Sequence, residues 1–324
     1  MPTTAAKNSR RPKSYQLFLG VDGGGTKTNI ALMCESGEVV SEAKGGPSNP
    51  LRVGVETAVA NITTALNKAC DDAGVSRGDI VAATLGLAGV RRMDIRERIR
   101  ESFIARSGIR NTNVTTDAEI ALYGTTFGKA GLVVIAGTGS VCLGINGKGE
   151  RAVAGGWGPL AGDEGGGRGI AEQALHRIAK ASDGRGEPTK LTEAAGEYFR
   201  ASTAENLIGA IYAPQIDNSR IAGFAKNVVE TAKEGDKIAL ELIENAGNEL
   251  GSAAAAVIRN LGLQQTKFPV GCVGSVFKAG EILTKPMLSE IHTTASKAYL
   301  VNPKMPPSQA AALMAMKENE NMRN

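Results

Sequence analysis

Short apolar runs alternate with tight turns at the start of the chain. Residues 15–23, 28–34 and 38–44 each carry enough apolar and β-branched side chains to predict a strand. The tight connections between these runs predict an antiparallel meander of three strands. Apolar residues then recur every three or four positions, which predicts a long helix over about 53–73.

The rest of the chain repeats this organisation. After Gly128 the pattern restarts with a second three-strand meander, whose first hairpin again carries a glycine turn. Before that point the predicted elements are strand 80–87, helix 92–106, strand 113–116 and helix 118–127. After it they are strands 132–136, 141–145 and 151–154, helices near 167–181, 189–200, 220–233 and 236–261, strand 268–273, and helices at about 277–285 and 308–318.

This repetition predicts an α/β fold of two similar lobes, each a meander followed by helices, with a central cleft that is a common place for a ligand. We assign residues 15–127 together with 308–324 to an N-terminal lobe and residues 128–307 to a C-terminal lobe. Residues 1–14 are polar and basic, and we expect them to form a disordered tail.

Charge and composition exclude several classes of protein. The chain has 37 basic and 33 acidic residues, and four of the basic ones lie in residues 1–14, so the remainder is balanced and predicts no nucleic-acid partner. The longest apolar runs are too short for a membrane span or a signal peptide. Four isolated cysteines predict core residues in a reducing cytoplasm, and two histidines argue against a histidine-based triad or metal site.

Glycine is the compositional exception. The chain has 41 glycines among 324 residues, about twice the usual share, and they cluster in short loops. The first of these loops joins the first two predicted strands and reads Asp22-Gly23-Gly24-Gly25-Thr26-Lys27-Thr28. Its backbone N–H groups can approach a phosphate because no Cβ atoms intervene, and Asp22 is a candidate to hold Mg²⁺ through water. The spacing is not that of a Walker loop, and a plain glycine hairpin is the alternative.

A second glycine loop, Ala136-Gly137-Thr138-Gly139-Ser140, occupies the corresponding hairpin of the second meander. One glycine hairpin carries little information, because turns are often rich in glycine. Two at matching positions of two lobes suggest a pair of phosphate-binding loops that face each other. This pairing is the strongest functional signal that the residues themselves provide.

A carboxylate marks the junction between a strand and a helix at Thr115-Thr116-Asp117. The carboxyl ends of strands are where α/β proteins place their ligands. Asp117 is therefore a candidate general base that accepts a hydroxyl proton during phosphoryl transfer. The alternative is that Asp117 simply caps the helix that follows it.

Two further segments have the composition of binding loops. Residues 155–169 contain eight glycines, the only tryptophan and an acidic pair, and Asp163 is placed to accept hydrogen bonds from sugar hydroxyls. The alternatives are a core anchor for Trp157 and a favourable charge at a helix start for the acidic pair. Residues 271–277 run from a strand into a helix with glycines that would admit a ring or a phosphate, or that form an ordinary turn.

These five motifs, taken in the order in which they occur along the chain, resemble those of the BadF/BadG-type ATPase family, and most closely its N-acetylglucosamine kinase branch within the actin/hexokinase/Hsp70 superfamily. The resemblance extends over about residues 15–318. It implies an actin/hexokinase-like (ribonuclease H-like) fold that closes on ATP–Mg²⁺ and a sugar, and a homodimer. It matches Asp117 to the catalytic base.

The loop motifs and the resemblance together identify candidate residues for each substrate. The resemblance itself matches Thr26, Thr138 and Gly274-Ser275 to nucleotide contacts, and Asn49, Gly156-Trp157-Gly158 and Asp163 to sugar contacts. The nucleotide-binding positions are Gly24, Gly25, Thr26, Lys27, Thr28, Gly137, Thr138, Gly139, Gly274 and Ser275. The sugar-binding positions are Asn49, Asp117, Ser140, Gly156, Trp157, Gly158 and Asp163. For Asn49, a simple turn before proline is the alternative interpretation.

The chain departs from the amino-sugar kinases of this branch at two places. Val141 follows the second glycine loop where those kinases have asparagine, and residues 166–169 (Gly-Gly-Arg-Gly) replace Ser-Ala-Tyr-Trp. These changes remove a polar amide and an aromatic wall, so they weaken the case for N-acetyl recognition and leave phosphoryl transfer untouched.

The expected function is an ATP-dependent sugar kinase that phosphorylates a hydroxyl of a hexose or amino sugar. N-acetylglucosamine and glucosamine are the first candidates, with O6 as the acceptor, and another hexose or a different polyol is the alternative substrate. An ATPase that drives a partner's conformational change and a non-catalytic nucleotide or sugar sensor are the alternatives on the same fold. The iron–sulfur branch of the family is disfavoured because no two cysteines lie close in sequence, and residues 1–14 are too short for a helix-turn-helix.

Overall fold

The structure is a computed structural model, and it describes residues 16–323. The basic tail predicted at residues 1–14 lies outside the described residues. The chain divides into two compact units. The first runs up to Ile120 and includes the C-terminal segment from Met305, and the second is Ala121–Lys304.

The first unit is built on a five-stranded mixed sheet in the order β3-β2-β1-β4-β5. Strands β1, β2 and β3 pair antiparallel, whereas β4 pairs parallel with both β1 and β5. The strands are β1 (Leu17–Gly23), β2 (Thr28–Cys34), β3 (Val39–Gly45), β4 (Ile80–Leu87) and β5 (Thr112–Thr116). The helices are α1 (Pro50–Val53), α2 (Val55–Ala73), α3 (Met93–Ser107), α4 (Asp117–Thr126, which continues into the second unit) and α12 (Pro307–Arg323).

The second unit repeats this sheet in the order β10-β9-β6-β7-β8. Strands β6, β7 and β8 form the antiparallel meander, and β9 pairs parallel with β6 and β10. The strands are β6 (Gly131–Ala136), β7 (Ser140–Ile145), β8 (Arg151–Gly155), β9 (Pro269–Val273) and β10 (Tyr299–Val301). The helices are α5 (Gly167–Ser182), α6 (Leu191–Phe199), α7 (Ala204–Ile211), α8 (Asn218–Gly223), α9 (Ala225–Lys233), α10 (Lys237–Leu261) and α11 (Glu281–Thr294).

The two sheets have the same topology. Read from the third strand of each meander, the order is 3-2-1-4-5 in the first unit and 8-7-6-9-10 in the second. The predicted α/β fold with duplicated meander-plus-helix units is therefore confirmed. Each unit places a glycine-rich hairpin between the first two strands of its meander, at the edge where the parallel strands end.

Strand β1 lies at the centre of the first sheet and is covered on both faces. Leu19 and Val21 are fully buried and pack in one cluster with Ile62 and Leu66 of α2. On the opposite face, a Cβ atom on Gly20 would lie 1.9 Å from the carbonyl oxygen of Ser308, so α12 packs directly on the backbone of β1. Only glycine permits this close approach of helix and strand.

The long helix α10 organises the core of the second unit. It packs against α11, and the helices approach closely because small residues lie at their contact. A Cβ atom on Gly247 would lie 2.4 Å from the carbonyl oxygen of Leu283, and one on Gly251 would lie 2.7 Å from that of Met287. Apolar side chains of α10, including Leu250 and Ile258, belong to the same buried cluster as strand β6.

Several helix boundaries differ from those predicted. The helix predicted at 277–285 is α11, which begins only at Glu281 because Gly280 has a φ of +66° and interrupts the preceding 3₁₀ turn. The helix predicted over 220–233 is two helices that meet at Phe224. The ring of Phe224 is fully buried against Tyr198 and Phe199, so tertiary packing sets the break.

The cysteines largely follow the prediction. Cys34, Cys70 and Cys142 are buried, Cys272 is half-buried, and all four are free thiols. Burial raises the pKa of Cys272 to about 12, which makes it a poor nucleophile. Within residues 16–323, none of the helices is long and apolar enough to cross a membrane.

Candidate active site

The first glycine loop is a tight turn fixed to the segment that follows β3. The backbone N–H of Gly24 donates to the carbonyl oxygen of Lys27 at 2.9 Å and closes the turn. The N–H groups of Ser48 and Asn49 both donate to the carbonyl oxygen of Gly24, at 3.0 and 3.1 Å. Thr26 and Lys27 are exposed at the tip of the loop, where a phosphate can reach them.

Thr28 has a different surrounding from the rest of this loop. Its side chain is fully buried, and its hydroxyl contacts the carbonyl oxygen of Gly46 and the hydroxyl of Ser48, each at 2.7 Å. The sequence predicts Thr28 as a nucleotide contact, but these bonds turn its hydroxyl towards residues 46–48. We therefore assign Thr28 to the support of the loop and leave Thr26 as its exposed hydroxyl.

Asn49 lies where the first glycine loop and helix α1 meet. Its Oδ1 atom accepts a hydrogen bond from the N–H of Leu51 at 3.0 Å, which caps α1. The same oxygen packs against Gly89, where a Cβ atom would lie only 2.3 Å away. Asn49 is therefore a capping residue held beside the candidate phosphate loop, and its role in sugar binding stays a prediction.

Asp117 is the first residue of α4, but it is not the residue that caps the helix. The N–H of Glu119 donates to Oγ1 of Thr116 at 3.2 Å, and the N–H of Thr116 donates to Oε2 of Glu119 at 2.9 Å. This reciprocal pair is a capping box. Asp117 instead accepts one hydrogen bond, from the N–H of Ala118 at 2.9 Å. Its carboxylate is therefore available for a role other than helix capping.

Burial and a neighbouring carboxylate shape the acidity of Asp117. Burial raises the pKa of Asp117 above its ordinary value, and repulsion from Asp22 raises it further. The pKa of Asp22 is also raised by burial, although a hydrogen bond from Nδ2 of Asn29 at 3.0 Å and the charge of Lys27 oppose this. The sequence-predicted base and metal-binding residue are thus brought close enough to influence each other.

The second glycine loop is fixed to the start of α5. The N–H groups of Gly167 and Arg168 donate to the carbonyl oxygens of Gly137 and Thr138, each at 2.8 Å. The N–H of Gly137 donates to the carbonyl oxygen of Gly139 at 2.9 Å and closes the turn. Because the loop's carbonyls are held by α5, the exposed side chain of Thr138 lies at the tip of a well-anchored turn.

Asp163 and Ser140, both predicted to bind the sugar, lie in direct contact. The backbone N–H of Ser140 donates to Oδ1 of Asp163 at 3.2 Å, and the hydroxyl of Ser140 donates to the carbonyl oxygen of Glu164 at 2.6 Å. Burial raises the pKa of Asp163, and the charge of Glu164 adds to this effect. The backbone of Asp163 has a φ of +64°, a left-handed conformation that residues other than glycine rarely adopt.

The segment with the only tryptophan lies on the surface. Trp157 is 70% exposed, so the core-anchor interpretation is wrong. Gly156 and Gly158, on either side of it, have φ values of +70° and +85°. A Cβ atom on Gly156 would lie 3.2 Å from the side chain of Val141, so the residue that departs from the amino-sugar kinases touches the predicted sugar-binding segment.

Gly274 and Ser275 continue from the end of β9 into a 3₁₀ turn. Gly274 has a φ of +116°, and a Cβ atom there would lie 2.2 Å from the carbonyl oxygen of Ala136. The predicted adenosine motif therefore packs directly on the second glycine loop. Both the positive φ and the short distance to the carbonyl oxygen of Ala136 require glycine at position 274.

Two residues near these sites escape the sequence prediction. Asn29 supports Asp22, and the signal for it is a polar residue at the start of the otherwise apolar strand β2. Glu119 completes the capping box, and the signal is the Thr-x-x-Glu spacing. Neither was distinguished by the motifs that mark the loops.

The candidate residues thus form two groups. Asp22, Gly24, Thr26, Asn49 and Asp117 belong to the first unit, and Gly137–Gly139, Ser140, Gly156–Gly158, Asp163 and Gly274 belong to the second. Within the described residues, no cluster of three or more His, Cys, Asp or Glu side chains is placed to hold a metal ion.

Comparisons with known proteins identify relatives over nearly the whole chain. The chain is 31% identical to the N-acetyl-D-glucosamine kinase of Dictyostelium discoideum, over 94% of this chain and 98% of that protein. It is 29% identical to the N-acetylmuramic acid/N-acetylglucosamine kinase of Clostridium acetobutylicum, over 93% and 98%. A solved structure from Chromobacterium violaceum, assigned as an N-acetylglucosamine kinase, is 28% identical with a TM-score of 0.76, and the match covers 94% of this chain and all of that one.

The family-level match covers most of the chain. The model of the BadF/BadG/BcrA/BcrD ATPase family aligns with residues 19–315, a range that contains both glycine loops, Asp117 and the segment around Asp163. ATP is the nucleotide that this family uses. The chain therefore belongs to the BadF/BadG/BcrA/BcrD ATPase family.

Proposed function

We propose that this chain is an ATP-dependent sugar kinase that transfers the γ-phosphoryl group of ATP to a hydroxyl of an amino sugar. N-acetylglucosamine is the first candidate substrate, because it is named for relatives about 30% identical over nearly the whole chain. Glucosamine is the second candidate, and O6 is the proposed acceptor atom. The observation that carries the proposal is a half-buried carboxylate at a strand end, that of Asp117, which is not used to cap the following helix.

Asp117 acts as the general base. As the acceptor oxygen bonds to the γ-phosphorus, the bond from that phosphorus to the β,γ-bridging oxygen breaks, and the products are a sugar phosphate and ADP. The acceptor's proton passes to the Asp117 carboxylate. A raised pKa suits this role, because a carboxylate that binds a proton more strongly is a better base.

The two glycine loops bind the phosphates of ATP. Backbone N–H groups and the exposed hydroxyls of Thr26 and Thr138 supply the donors, and Lys27 supplies positive charge at the first loop. Gly274, which packs on the second loop, and the adjacent Ser275 provide the surface for adenosine. Donors fixed in place before the reaction stabilise the charge that builds up on the transferring group.

Asp22 is the proposed Mg²⁺ position. Its hard oxygen atoms fit this ion, which typically binds one or two carboxylates together with substrate phosphates and retains several waters. The mutual repulsion of Asp22 and Asp117 also fits a bound cation, because a cation would relieve it. When bound, Mg²⁺ neutralises phosphate charge, and Asn29 holds the Asp22 carboxylate in place.

Asp163, Ser140, Asn49 and the segment Gly156–Gly158 form the proposed sugar-binding set. Asp163 contributes the acceptor atoms that sugar hydroxyls need. Ser140 holds Asp163 through its N–H group. We also propose that the enzyme is a homodimer, as the resemblance implies, and that it is cytoplasmic, because its free cysteines suit a reducing compartment.

The first test is ADP release from Mg²⁺–ATP, measured by a coupled assay with N-acetylglucosamine, glucosamine, N-acetylmannosamine, glucose and no sugar. Sugar-dependent ADP release is the expected result. ADP release without sugar would instead support an ATPase that drives a partner. Sugar or ATP binding by calorimetry with no turnover would support the sensor.

The second test addresses the base. Asp117→Asn keeps the shape of the side chain and removes the proton acceptor, so turnover is expected to fall by about 10²–10⁴-fold. ATP binding, measured by calorimetry, should persist. Asp94→Asn is the matched control, because Asp94 is an exposed carboxylate of the same unit that pairs with Arg92 on the surface. Normal turnover by Asp117→Asn would refute the base assignment.

A further inference from the structure

Arg168 is a cation in an unusual surrounding. Its side chain is only 18% exposed, yet its Nε atom is buried and has no hydrogen-bond partner. The nearest carboxylate, that of Glu172, lies 3.8 Å from its terminal nitrogen and is itself 41% exposed. A buried donor without a partner costs free energy, so native proteins rarely retain one without a ligand to satisfy it.

The backbone around Arg168 packs on both candidate loops of the second unit. A Cβ atom on Gly166 would lie 2.6 Å from the backbone of Gly139, and one on Gly169 would lie 3.0 Å from the carbonyl oxygen of Asp163. The N–H of Arg168 itself donates to Thr138. A long side chain that starts from this point is within reach of a group bound at the tip of the second glycine loop.

Arginine is suited to one chemical class of ligand. The guanidinium group is always charged and presents several donors in a planar fork that matches a carboxylate or a phosphate. Glu172 does not satisfy this fork, because 3.8 Å is beyond hydrogen-bond distance. The most direct use of the remaining donors is an anionic oxygen supplied by a substrate.

We propose that Arg168 is a substrate-binding residue that donates to an anionic oxygen lying against the second glycine loop. The proposal rests on the proposed function, in which that loop binds the phosphates of ATP. A phosphoryl oxygen of ATP is the source that this position favours. The same chemistry would also suit the carboxylate of an acidic amino sugar, and the experiment separates these two sources.

The experiment uses the full chain with Arg168→Gln, Arg168→Lys and, as a matched control, Arg177→Gln. Arg177 lies on the same helix and pairs at the surface with Glu241. Binding of the non-hydrolysable analogue AMPPNP is measured by calorimetry without sugar. KM for ATP and kcat are then measured with N-acetylglucosamine and with N-acetylmuramic acid, which carries a carboxylate.

If Arg168 binds a phosphate, Arg168→Gln weakens AMPPNP binding by roughly 10- to 100-fold and raises KM for ATP with either sugar. Arg168→Lys restores part of this loss, because it keeps the charge and loses the fork. If Arg168 binds a sugar carboxylate, AMPPNP binding is unchanged and only activity on N-acetylmuramic acid is lost.

A purely structural role predicts a different result. Arg168→Gln would then lower the melting temperature, while AMPPNP binding and both sugar KM values stay within about twofold of the Arg177→Gln control. That outcome would overturn the proposal. AMPPNP binding is measured without any sugar, so a loss there would still support the phosphate assignment if the chain proved to be an ATPase instead of a kinase.

Discussion

Thr116 and Glu119 cap helix α4 reciprocally: each donates its backbone N–H to the side chain of the other, at 2.9 and 3.2 Å. This relationship decides how Asp117, which lies between them, is interpreted. An aspartate at the start of a helix is usually explained as a cap. Here the cap is provided by its neighbours, and Asp117 remains a half-buried carboxylate with a raised pKa.

Asp117 is therefore expected to cost stability at neutral pH. A carboxyl group whose pKa is raised on folding binds its proton more tightly in the folded state, so its ionised form opposes folding. Asp117→Asn should raise the free energy of unfolding at pH 7, by about 1.4 kcal/mol for each tenfold difference in proton affinity between folded and unfolded chains. Denaturant unfolding of both proteins at pH 7 measures this gain.

The pH dependence of this gain provides its control. The advantage of Asp117→Asn should shrink as pH falls through the raised pKa of the folded state. It should vanish below the ordinary aspartate pKa of 3.8, where Asp117 is protonated in both folded and unfolded chains. A gain that stays constant with pH would point to a packing effect instead. Loss of stability at pH 7 would contradict the interpretation that Asp117 has no capping role.

Loss of the capping box should lower stability, whereas Asp117→Asn should raise it. Glu119→Ala removes the acceptor for the N–H of Thr116 and should lower the free energy of unfolding by about 1 kcal/mol. Glu119→Gln is the matched control, since glutamine also serves in capping boxes and should cost less. Thermal melting should show that Glu119→Ala is less stable than Glu119→Gln. Equal stability of the two variants would contradict a role of Glu119 in the capping box.

The sequence predicts the local features of this site and does not predict those that depend on distant residues. The two meanders are predictable because strand patterns and glycine turns are local, and all six meander strands begin and end within two residues of the prediction. The position of Asp117 at a strand end is predictable for the same reason. The supporting role of Thr28 is not predictable, because its hydroxyl contacts that of Ser48, which is twenty residues away along the chain.

Short elements are the other limit. Strand β10, at Tyr299–Val301, has only three residues and forms because β9 offers a parallel edge. No pattern of three residues distinguishes a strand from a loop. The break at Phe224 is likewise set by two aromatic rings of α6, those of Tyr198 and Phe199. The helical spacing of apolar residues in the sequence does not reveal this contact.

The second glycine loop predicts a steric test. A Cβ atom on Gly139 would lie 2.5 Å from the carboxyl group of Asp163, so Gly139→Ala should displace that carboxylate. We expect KM for the sugar to rise about tenfold or more, because a misplaced acceptor loses its hydrogen bonds. Gly147→Ala is the control, since Gly147 also lies in a turn and nothing is within 4 Å of its Cβ position. Steady-state kinetics of both variants measure this. A sugar KM that is unchanged in Gly139→Ala would show that the site tolerates the added Cβ atom without displacing Asp163.

The pH–rate profile should report the pair of Asp22 and Asp117. Activity requires ionised Asp117, so it should rise with pH through the raised pKa of this residue, above the range of an ordinary aspartate. Asp22→Asn removes the neighbouring charge that raises this pKa, so the acid limb of kcat/KM should move to lower pH even as the overall rate falls. A limb that stays in place would show that Asp22 does not act on the ionisation of the base.

Val141 provides the last prediction, because it contacts Gly156 of the proposed sugar-binding segment. Asparagine at this position would supply an amide that can pair with the acetamido group of a substrate. We expect Val141→Asn to raise the ratio of kcat/KM for N-acetylglucosamine over that for glucosamine by about 2- to 10-fold, the contribution of one net hydrogen bond. Val141→Ala is the control, because it opens similar space without an amide and should leave the ratio within about twofold. A ratio that rises equally in both variants would show that space, not hydrogen bonding, limits recognition of the acetyl group. A ratio that falls only in Val141→Asn would show that this side chain faces an apolar part of the bound sugar.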